Sequence, residues 1–295
     1  MALLFSNESK WALNEHPALG NGTEPDRRSW QTVYDAFARG VFDAGLQANT
    51  VHPSQVFERE PADFAAERPA LVAAAFTIAT DAQLQWLASY AEAGGHLVVG
   101  IRTGYEDQEA RARLERKPAF LDVVAGVHYD EFSNLGRRVP VSAGAAAAGH
   151  GFIVPEAATA TRWADGLLVD DADVLVGYDH PHHGRFAAVT TRVHGAGRVT
   201  YVGTVPDPAL AAAVVGWVAE QGSGTTAWRP QSDTQSVQSS VNRRGEAVHV
   251  VHNWSWTPST YAVVVDAEDV IDGTAVDAGA VLELGPWDVR VLATR

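Results

Sequence analysis

The sequence predicts an α/β domain, built on an open sheet with helices on both faces, followed by a small all-β antiparallel sandwich. Apolar runs typical of buried strands alternate with helical patterns over roughly the first half of the chain. The run from Pro69 to Phe76 is apolar without alternation, which is typical of a parallel strand buried on both faces. After residue 226 the helical patterns end, and only short extended segments follow.

The N-terminal part supplies the first strand and the first helix. Residues 2–6 are predicted to form the strand, and Ser29 is predicted to cap a helix that ends at Gly45. The apolar positions of this helix are spaced by three and four residues, which makes one buried face. They are Trp30, Val33, Tyr34, Phe37, Val41 and Phe42.

The next strands are expected to alternate with two helices. The longer helix is capped by Thr80 or Asp81 and ends at Gly94-Gly95, and an apolar helix spans Ala119 to Ala125. The extended segments of this region are predicted at 48–52, 69–76, 96–101 and 127–132.

From about Val139 short extended pieces dominate the pattern, and an amphipathic helix from Ala209 to Glu220 closes the domain. The turn from His194 to Gly197 is typical of a hairpin. The pieces are predicted at 151–154, 172–178, 186–193 and 197–203. The resulting arrangement is similar to flavodoxin-like and class I glutamine-amidotransferase-like domains.

A linker is predicted from Gly222 to Thr226, because Gly, Ser and Thr are its only residues. It separates a domain of residues 1–222 from a β domain of residues 227–295. A hairpin is expected around Asn242 to Glu246. The strands of this antiparallel sandwich are predicted at 236–241, 247–253, 261–265, 270–273, 280–284 and 289–293.

Composition excludes several classes of partner and chemistry. The net charge is −14, so a phosphate backbone or an anionic membrane would be repelled, and neither nucleic acid nor membrane is expected as a partner. The chain has no Cys, which excludes disulfides, thiolate metal sites and cysteine nucleophiles. The short apolar N-terminus is predicted to be a buried strand rather than a signal peptide, so we expect a cytoplasmic protein.

The loop from Gly100 to Asp107 follows a buried strand, the position where open α/β sheets usually bind ligands. It has no nucleophile, and the Cys that glutamine amidotransferases place at this elbow is missing. A Gly-x-Ser-x-Gly elbow and a Gly-x-Gly-x-x-Gly turn are also absent from the sequence. We therefore predict no catalytic residue and no bound cofactor.

Two other groups of residues have a functional and a structural interpretation. The segment from Tyr178 to Gly184 contains three His and one Asp, but Pro181 and the adjacent imidazoles favour a surface loop over a metal site, so no metal is predicted. Trp254 and Trp256 could stack on sugar rings, although core packing is the commoner role of Trp.

Several motifs resemble the β-galactosidase trimerisation domain of glycoside hydrolase family 42. They are Asn7, Glu8, Trp11 and Ala12; Val51-His52-Pro53; Arg102-Thr103-Gly104 with Asp107, Arg111 and Arg113; 118–126; 187–192; and 195–204. The β domain, with the segment 284–289, is similar to the C-terminal domain of the same family. The resemblance covers nearly the whole chain.

The family also has a (β/α)8 barrel that carries its catalytic glutamates, and this chain has no room for one. The resemblance therefore implies a non-catalytic oligomerisation or accessory region, inactive alone, that forms a homotrimer and accompanies a catalytic barrel. Two alternatives remain at this point: a carbohydrate-binding module that binds a galactoside through Trp254 and Trp256, and an independent hydrolase. The candidate interface or ligand residues are Arg102, Thr103, Asp107, His180, His182 and Arg192.

Overall fold

A computed structural model describes residues 1–222 and 227–294 of the chain. The described residues divide into two compact units: residues 1–40 with 48–222, and residues 41–47 with 227–294. The predicted linker lies outside the described residues, except for Gly222. None of the helices in the described part of the chain combines the length and apolar character that crossing a membrane requires.

Seven α-helices are found among the described residues, accompanied by 3-10 turns at Ala148–His150 and His183–Arg185. The helices are α1 (Asn7–Glu15), α2 (Ser29–Asp43), α3 (Pro53–Val56), α4 (Pro61–Glu67), α5 (Asp81–Glu92), α6 (Asp122–Ala125) and α7 (Pro208–Gln221).

Fifteen strands precede the last helix. They are β1 (Ala2–Leu4), β2 (Gly20–Asn21), β3 (Glu24–Pro25), β4 (Asn49–Val51), β5 (Ala70–Ala73), β6 (His96–Gly100), β7 (Val127–His128), β8 (Phe132–Asn134), β9 (Val139–Ala143), β10 (Thr159–Asp165), β11 (Leu168–Val169), β12 (Asp173–Tyr178), β13 (Ala187–His194), β14 (Gly197–Val202) and β15 (Thr204–Pro206). Those of the second unit are β16 (Gln235–Val241), β17 (Ala247–Asn253), β18 (Ser259–Ala262), β19 (Ala267–Asp269), β20 (Ala275–Val276), β21 (Val281–Leu284) and β22 (Val289–Thr294).

The first unit is built on a mixed sheet of 11 strands. Its parallel part has the order β4-β1-β5-β6-β14. The hairpin partner of β14 is β13, from which the antiparallel strands β12, β9, β10 and β15 continue the sheet. The sequence prediction of an α/β domain with a large central sheet is confirmed.

Strand β6 shows why helices cover both faces of this sheet. Leu97 and Val99 belong to an apolar cluster that includes Leu84 and Leu87 of α5. On the opposite face the ring of His96 lies 5.6 Å from that of Trp217 in α7. Every residue of β6 is buried, and burying each large apolar side chain stabilises the fold by roughly 1.5–3 kcal/mol. Burial also lowers the pKa of His96 to about 3, so its ring is neutral.

The helix ends largely follow the sequence signals. Thr80 caps α5 as predicted: its hydroxyl accepts a hydrogen bond from the amide of Gln83 at 3.2 Å, while its own amide donates to Gln83 Oε1 at 2.9 Å. The helix ends before Gly95, where a Cβ would lie 2.3 Å from the ring of Tyr90. Helix α7 begins after Asp207, whose carboxylate accepts a hydrogen bond from the amide of Leu210 at 2.9 Å.

Several short elements differ from the sequence prediction. The helix expected from Ala119 to Ala125 is the single turn α6, because Phe120 has a positive φ of 62°. The strand expected at residues 151–154 is wrong, since Gly151 instead ends a 3-10 turn. Helices α1, α3 and α4 and strand β10 were not predicted, because their polar and Ala-rich sequences show no clear period.

The second unit contains a small antiparallel β region, as the sequence predicts. A sheet of order β16-β17-β22-β19-β20 accompanies the strand pair β18-β21. Both contribute to one apolar core, in which Val251 comes from β17, Tyr261 from β18 and Leu284 from β21. The hairpin expected around Asn242 joins β16 to β17 and carries the positive φ at Gly245.

Replacing Gly40 with alanine should destabilise the first unit. A Cβ at this position would lie 2.7 Å from the Cβ of Ala211 and 2.8 Å from its carbonyl carbon. Neither atom can rotate away, so α2 and α7 must separate, at a cost of about 1–3 kcal/mol. This cost exceeds the gain in helix propensity, roughly 0.5–1 kcal/mol. Urea unfolding measures the difference. Gly177→Ala is the matched control, because its Cβ would meet nothing within 4 Å; equal midpoints for the two variants would contradict the prediction.

Replacing the buried Asn253 with alanine should destabilise the second unit by about 1–3 kcal/mol. The amide nitrogen of its side chain donates to the carbonyl oxygens of Thr257 at 2.9 Å and Gly285 at 2.8 Å, and its side-chain oxygen accepts from the amide of Ser255. The variant leaves these backbone groups without their partner. Thermal unfolding tests the change against Gln238→Ala, which removes an exposed amide. A loss no larger than that of the control would refute it.

Candidate functional site

The loop after β6 is organised around Arg102, which adopts a positive φ of 62°. Its guanidinium lies 3.6 Å from the centroid of the Tyr105 ring, and its Nη2 donates to Glu106 Oε1 at 3.1 Å. Both charged side chains are nearly buried. Burial raises the pKa of Glu106, and the positive charge of Arg102 partly offsets this rise. The two charges are therefore paired within the loop, whereas Arg102 Nε is buried without a hydrogen-bond partner.

The two other predicted residues of this loop hold its backbone in place. Thr103 is fully buried, and its hydroxyl donates to the carbonyl oxygen of Ala73 in β5 at 2.7 Å. The carboxylate of Asp107 accepts hydrogen bonds from the amides of Glu109 and Arg111 and from Arg111 Nε at 2.9 Å. These bonds, led by the one from the Arg111 amide, lower the pKa of Asp107. Thr103 and Asp107 thus hold the backbone of this loop in one conformation through hydrogen bonds.

A buried carboxylate lies beside this loop, and the sequence analysis missed it. Asp165, at the end of β10, is fully buried and accepts hydrogen bonds from Trp163 Nε1 at 2.8 Å and from the hydroxyl of Tyr201 at 2.9 Å. Burial raises its pKa to about 7, although these hydrogen bonds and the charge of Arg102 act in the opposite direction. Asp165 is therefore a carboxylate that titrates near neutral pH. A lone acid within the apolar run around Trp163 was the signal for it.

The His-rich segment forms a surface turn. His180 Nδ1 accepts hydrogen bonds from the amides of His182 and His183, both at 3.2 Å. The side chains of His182 and His183 line a cavity of about 10 Å³ together with Asp165, which is room for about one water molecule. Arg102 does not line this cavity. Among residues 1–222 and 227–294, no group of three or more His, Cys, Asp or Glu side chains could hold a metal ion.

Arg192 connects β13 to α6. Its Nη1 donates to the carbonyl oxygens of Val123 and Val124 at 3.0 and 3.3 Å, and its Nη2 forms a 2.7 Å ion pair with Asp171. A cation at the C-terminal end of a helix stabilises the carbonyls that have no partner in that helix. Gly126 makes this contact feasible, because a Cβ there would lie 2.6 Å from Arg192 Cδ.

Trp254 and Trp256 lie in the second unit, exposed by 44% and 81%. Trp254 stacks on the ring of His252 at 4.1 Å, and its Nε1 donates to Ser236 Oγ at 2.7 Å. Both Trp rings lie edge-on to Trp287, at about 6 Å. One face of the Trp254 ring is therefore covered by His252.

The structure brings together only some of the residues that the sequence analysis selected as candidates. Arg102 and Asp107 share one loop. Phe132 lines the cavity of the His turn, and its ring centroid lies 5.9 Å from the Arg102 guanidinium. Arg192 belongs to a separate contact network around α6. The cavity lined by His182 and His183 does not include the Arg102 loop, so it is not the shared pocket that an independent hydrolase needs.

The variant Asp165→Asn should remove a pH dependence of stability from the first unit. Between the unfolded pKa near 4 and the folded pKa of about 7, the folded state holds a proton that the unfolded chain has lost. The native protein should therefore lose stability relative to the variant as the pH rises through this range, by at most about 1.4 kcal/mol per pH unit, and no further above it. Urea unfolding from pH 5 to 8 measures this difference. The exposed Asp130→Asn is the control, and a difference between the native protein and Asp165→Asn that stays constant with pH would rule the effect out.

Comparison with known proteins identifies a matching family and relatives of this chain. The family model of the β-galactosidase trimerisation domain matches residues 1–224. The β-galactosidase Bga of Halorubrum lacusprofundi is 32% identical over 219 residues, which are 72% of this chain and 29% of that protein. The β-galactosidase BgaH of Haloferax lucentense is 28% identical over 73% of this chain and 29% of its own length. The chain thus spans less than a third of the length of these relatives.

Solved structures extend the likeness to both units. The β-galactosidase from Bacillus circulans sp. alkalophilus has a TM-score of 0.82 over 100% of this chain and 41% of its own, at 16% identity. The β-galactosidase from the Antarctic haloarchaeon Halorubrum lacusprofundi has a TM-score of 0.74 over 99% of this chain and 39% of its own, at 26% identity. The resemblance that the motifs indicated is confirmed. This chain belongs to the family of the β-galactosidase trimerisation domain of glycoside hydrolase family 42.

Proposed function

We propose that this chain is a non-catalytic, self-associating region of a β-galactosidase-type glycosidase, and that it assembles as a homotrimer alongside a catalytic barrel. The observation that carries this proposal is the match of residues 1–224 to a trimerisation domain, within a chain that covers 41% or less of the solved and curated β-galactosidases named above. The barrel that the family uses for catalysis corresponds to the part of those proteins that this chain does not cover.

The chemistry of the Arg102 loop supports a non-catalytic role. Glycoside hydrolysis requires two carboxyl groups that face each other about 5–10 Å apart across an open cleft. Glu106 is paired with Arg102, and Asp107 is bonded to the amides and the side chain of its own loop. Asp165 is fully buried beside a cavity that holds about one water. Glu106 and Asp165 are thus shielded from a sugar, and the partly exposed Asp107 is held by its own loop.

A surface around α6 is our candidate for the contact between copies. Arg116 forms ion pairs with Asp122 of α6 at 2.9 Å and with Asp170 after β11 at 2.8 Å, which places these segments side by side. Val123 on α6 is 68% exposed, and Val169 on β11 is 40% exposed. Exposed apolar residues within a charged rim are typical of protein interfaces. We refer to Val123, Leu168 and Val169 as the α6 patch.

The predicted interface residues enter this proposal in two groups. Arg192 adjoins the α6 patch through its hydrogen bond to the carbonyl of Val123. Asp107, His180 and His182 lie on turns elsewhere on the first unit, where we propose contacts with the barrel or a neighbouring copy. Arg102 and the buried Thr103 would act by holding the Arg102 loop in shape.

The same family leads us to propose domain bounds, a fold type and a location for this chain. We propose two domains, residues 1–222 and 227–295, of which the first is flavodoxin-like. The parallel strand order β4-β1-β5-β6-β14 supports that label, since in chain order it has the flavodoxin pattern 2-1-3-4-5. A glutamine-amidotransferase-like variant of this fold and a cytoplasmic location complete the proposal. The carbohydrate-binding alternative has no support in the comparisons, and we do not propose it.

Analytical ultracentrifugation of the chain at micromolar concentrations tests the proposal. We expect a species of three times the 31.5 kDa chain mass. The variant Val123→Glu should shift the distribution towards the monomer, because it introduces a charge at the centre of an apolar contact. The matched control is Ile271→Glu, on the 66% exposed Ile271 of the second unit. A strictly monomeric native chain would refute trimerisation, whereas a trimer insensitive to Val123→Glu would refute only the α6 patch.

A further inference from the structure

A cleft in the first unit differs in character from the Arg102 loop and from the α6 patch. It has a volume of about 620 Å³ and lies between α2, the β2-β3 hairpin, the segment 134–138 and the strands β10 and β15. This volume is within the range of roughly 300–1,000 Å³ that small-molecule sites occupy. All of its lining residues belong to the first unit.

The lining of the cleft is strongly positive in a chain that is strongly negative. Four arginines line it, namely Arg39, Arg137, Arg138 and Arg162, whereas Asp207 is its one acidic lining residue. The chain as a whole carries a net charge of −14. Clustering of like charges is unfavourable unless opposite charges compensate it, and Asp26 does so within the protein for Arg162. This contrast is the first indication of an anionic ligand.

Asp207 forms no ion pair with Arg137 or Arg138. One oxygen of its carboxylate accepts hydrogen bonds from the amide and the hydroxyl of Thr159, at 3.0 and 2.8 Å, and the other accepts from the amide of Leu210 at 2.9 Å. Through these bonds with neutral donors, the carboxylate caps α7 and holds the start of β10. The exposed Arg137 and Arg138 form no ion pair or hydrogen bond through their side chains with any of the described residues.

The backbone at Arg162 departs from a regular strand, and this changes the direction of the Arg162 side chain. The pairing of β10 with β15 shifts register between Thr161 and Ala164, and Arg162 within this bulge has a positive φ of 62°. Bulges of this kind re-aim a side chain. Its Nη2 bonds Asp26, whereas its Nε is buried without a hydrogen-bond partner. The carbonyl of Arg162 accepts from the amide of Leu135 at 2.9 Å, which ties the segment carrying Arg137 and Arg138 to the bulge.

We propose that this cleft binds a small oxyanion with at least two negative charges, held by Arg137, Arg138 and Arg162. Guanidinium groups bind phosphate and carboxylate oxygens through paired hydrogen bonds, and several of them around one cleft favour a ligand of multiple charge over chloride. Arg162, whose Nε is buried without a hydrogen-bond partner, lines the cleft beside the two exposed arginines. The site is independent of trimerisation.

Isothermal titration calorimetry of the chain in low-salt buffer, with pyrophosphate in one arm and citrate in another, tests this site. We expect saturable binding of one ligand per chain, weakening as chloride is added because the contact is ionic. The better-bound probe distinguishes a phosphate from a polycarboxylate ligand. The double variant Arg137→Gln/Arg138→Gln should weaken this binding at least about tenfold, because it removes two charged donors.

The control is Arg243→Gln/Arg244→Gln, which removes another adjacent arginine pair, exposed in the turn between β16 and β17. It changes the net charge by the same amount and should leave the affinity within about twofold, a change worth under 0.5 kcal/mol. Both double variants alter exposed side chains, and their thermal midpoints verify that they are folded. Absence of saturable binding of either probe, or equal losses in the two double variants, would overturn the proposal.

Discussion

Burial of the parallel strands on both faces is the constraint on which the rest of the first unit depends. Strands β5 and β6 expose nothing, so helices must cover each side, and α5 and α7 do so. The backbone of a central strand is satisfied by its neighbours, and a polar side chain along it must find a partner within the sheet, as His96 does in Thr200. In β5 and β6 charged side chains are therefore displaced to the loops at the strand ends. This displacement explains why the Arg102 loop combines a charged pair with a buried Thr.

The buried polar groups beside that loop maintain its shape. Asp165 receives two hydrogen bonds from Trp163 and Tyr201, and the Arg102–Glu106 pair is held against the ring of Tyr105. Buried polar groups cost free energy unless they are bonded, and when bonded they favour one arrangement over others. Under the proposed role in self-association, a fixed loop serves this fold better than a reactive one. The loop at the carboxyl edge thus retains the position of an active site while its side chains bond one another.

Two open surfaces of the first unit have opposite character. The α6 patch is apolar with charged residues around it, which suits another protein surface. The arginine cleft is concave and positive, which suits a small anion. Because a ligand that binds only the folded form stabilises it, an anion in the cleft would raise the stability of the first unit.

The sequence by itself determined the fold class, the strands with uniform apolar runs, the start of α5 at Thr80 or Asp81 and the family, because each of these depends on local patterns or on motifs. It also excluded thiol chemistry through the absence of Cys. Only the tertiary structure decided the short helices, the loss of the helix expected at Ala119, the buried Asp165 and the grouping of Arg39, Arg137, Arg138 and Arg162. These features join residues up to about 120 positions apart in the chain, and their chemistry depends on burial and proximity that no local pattern records.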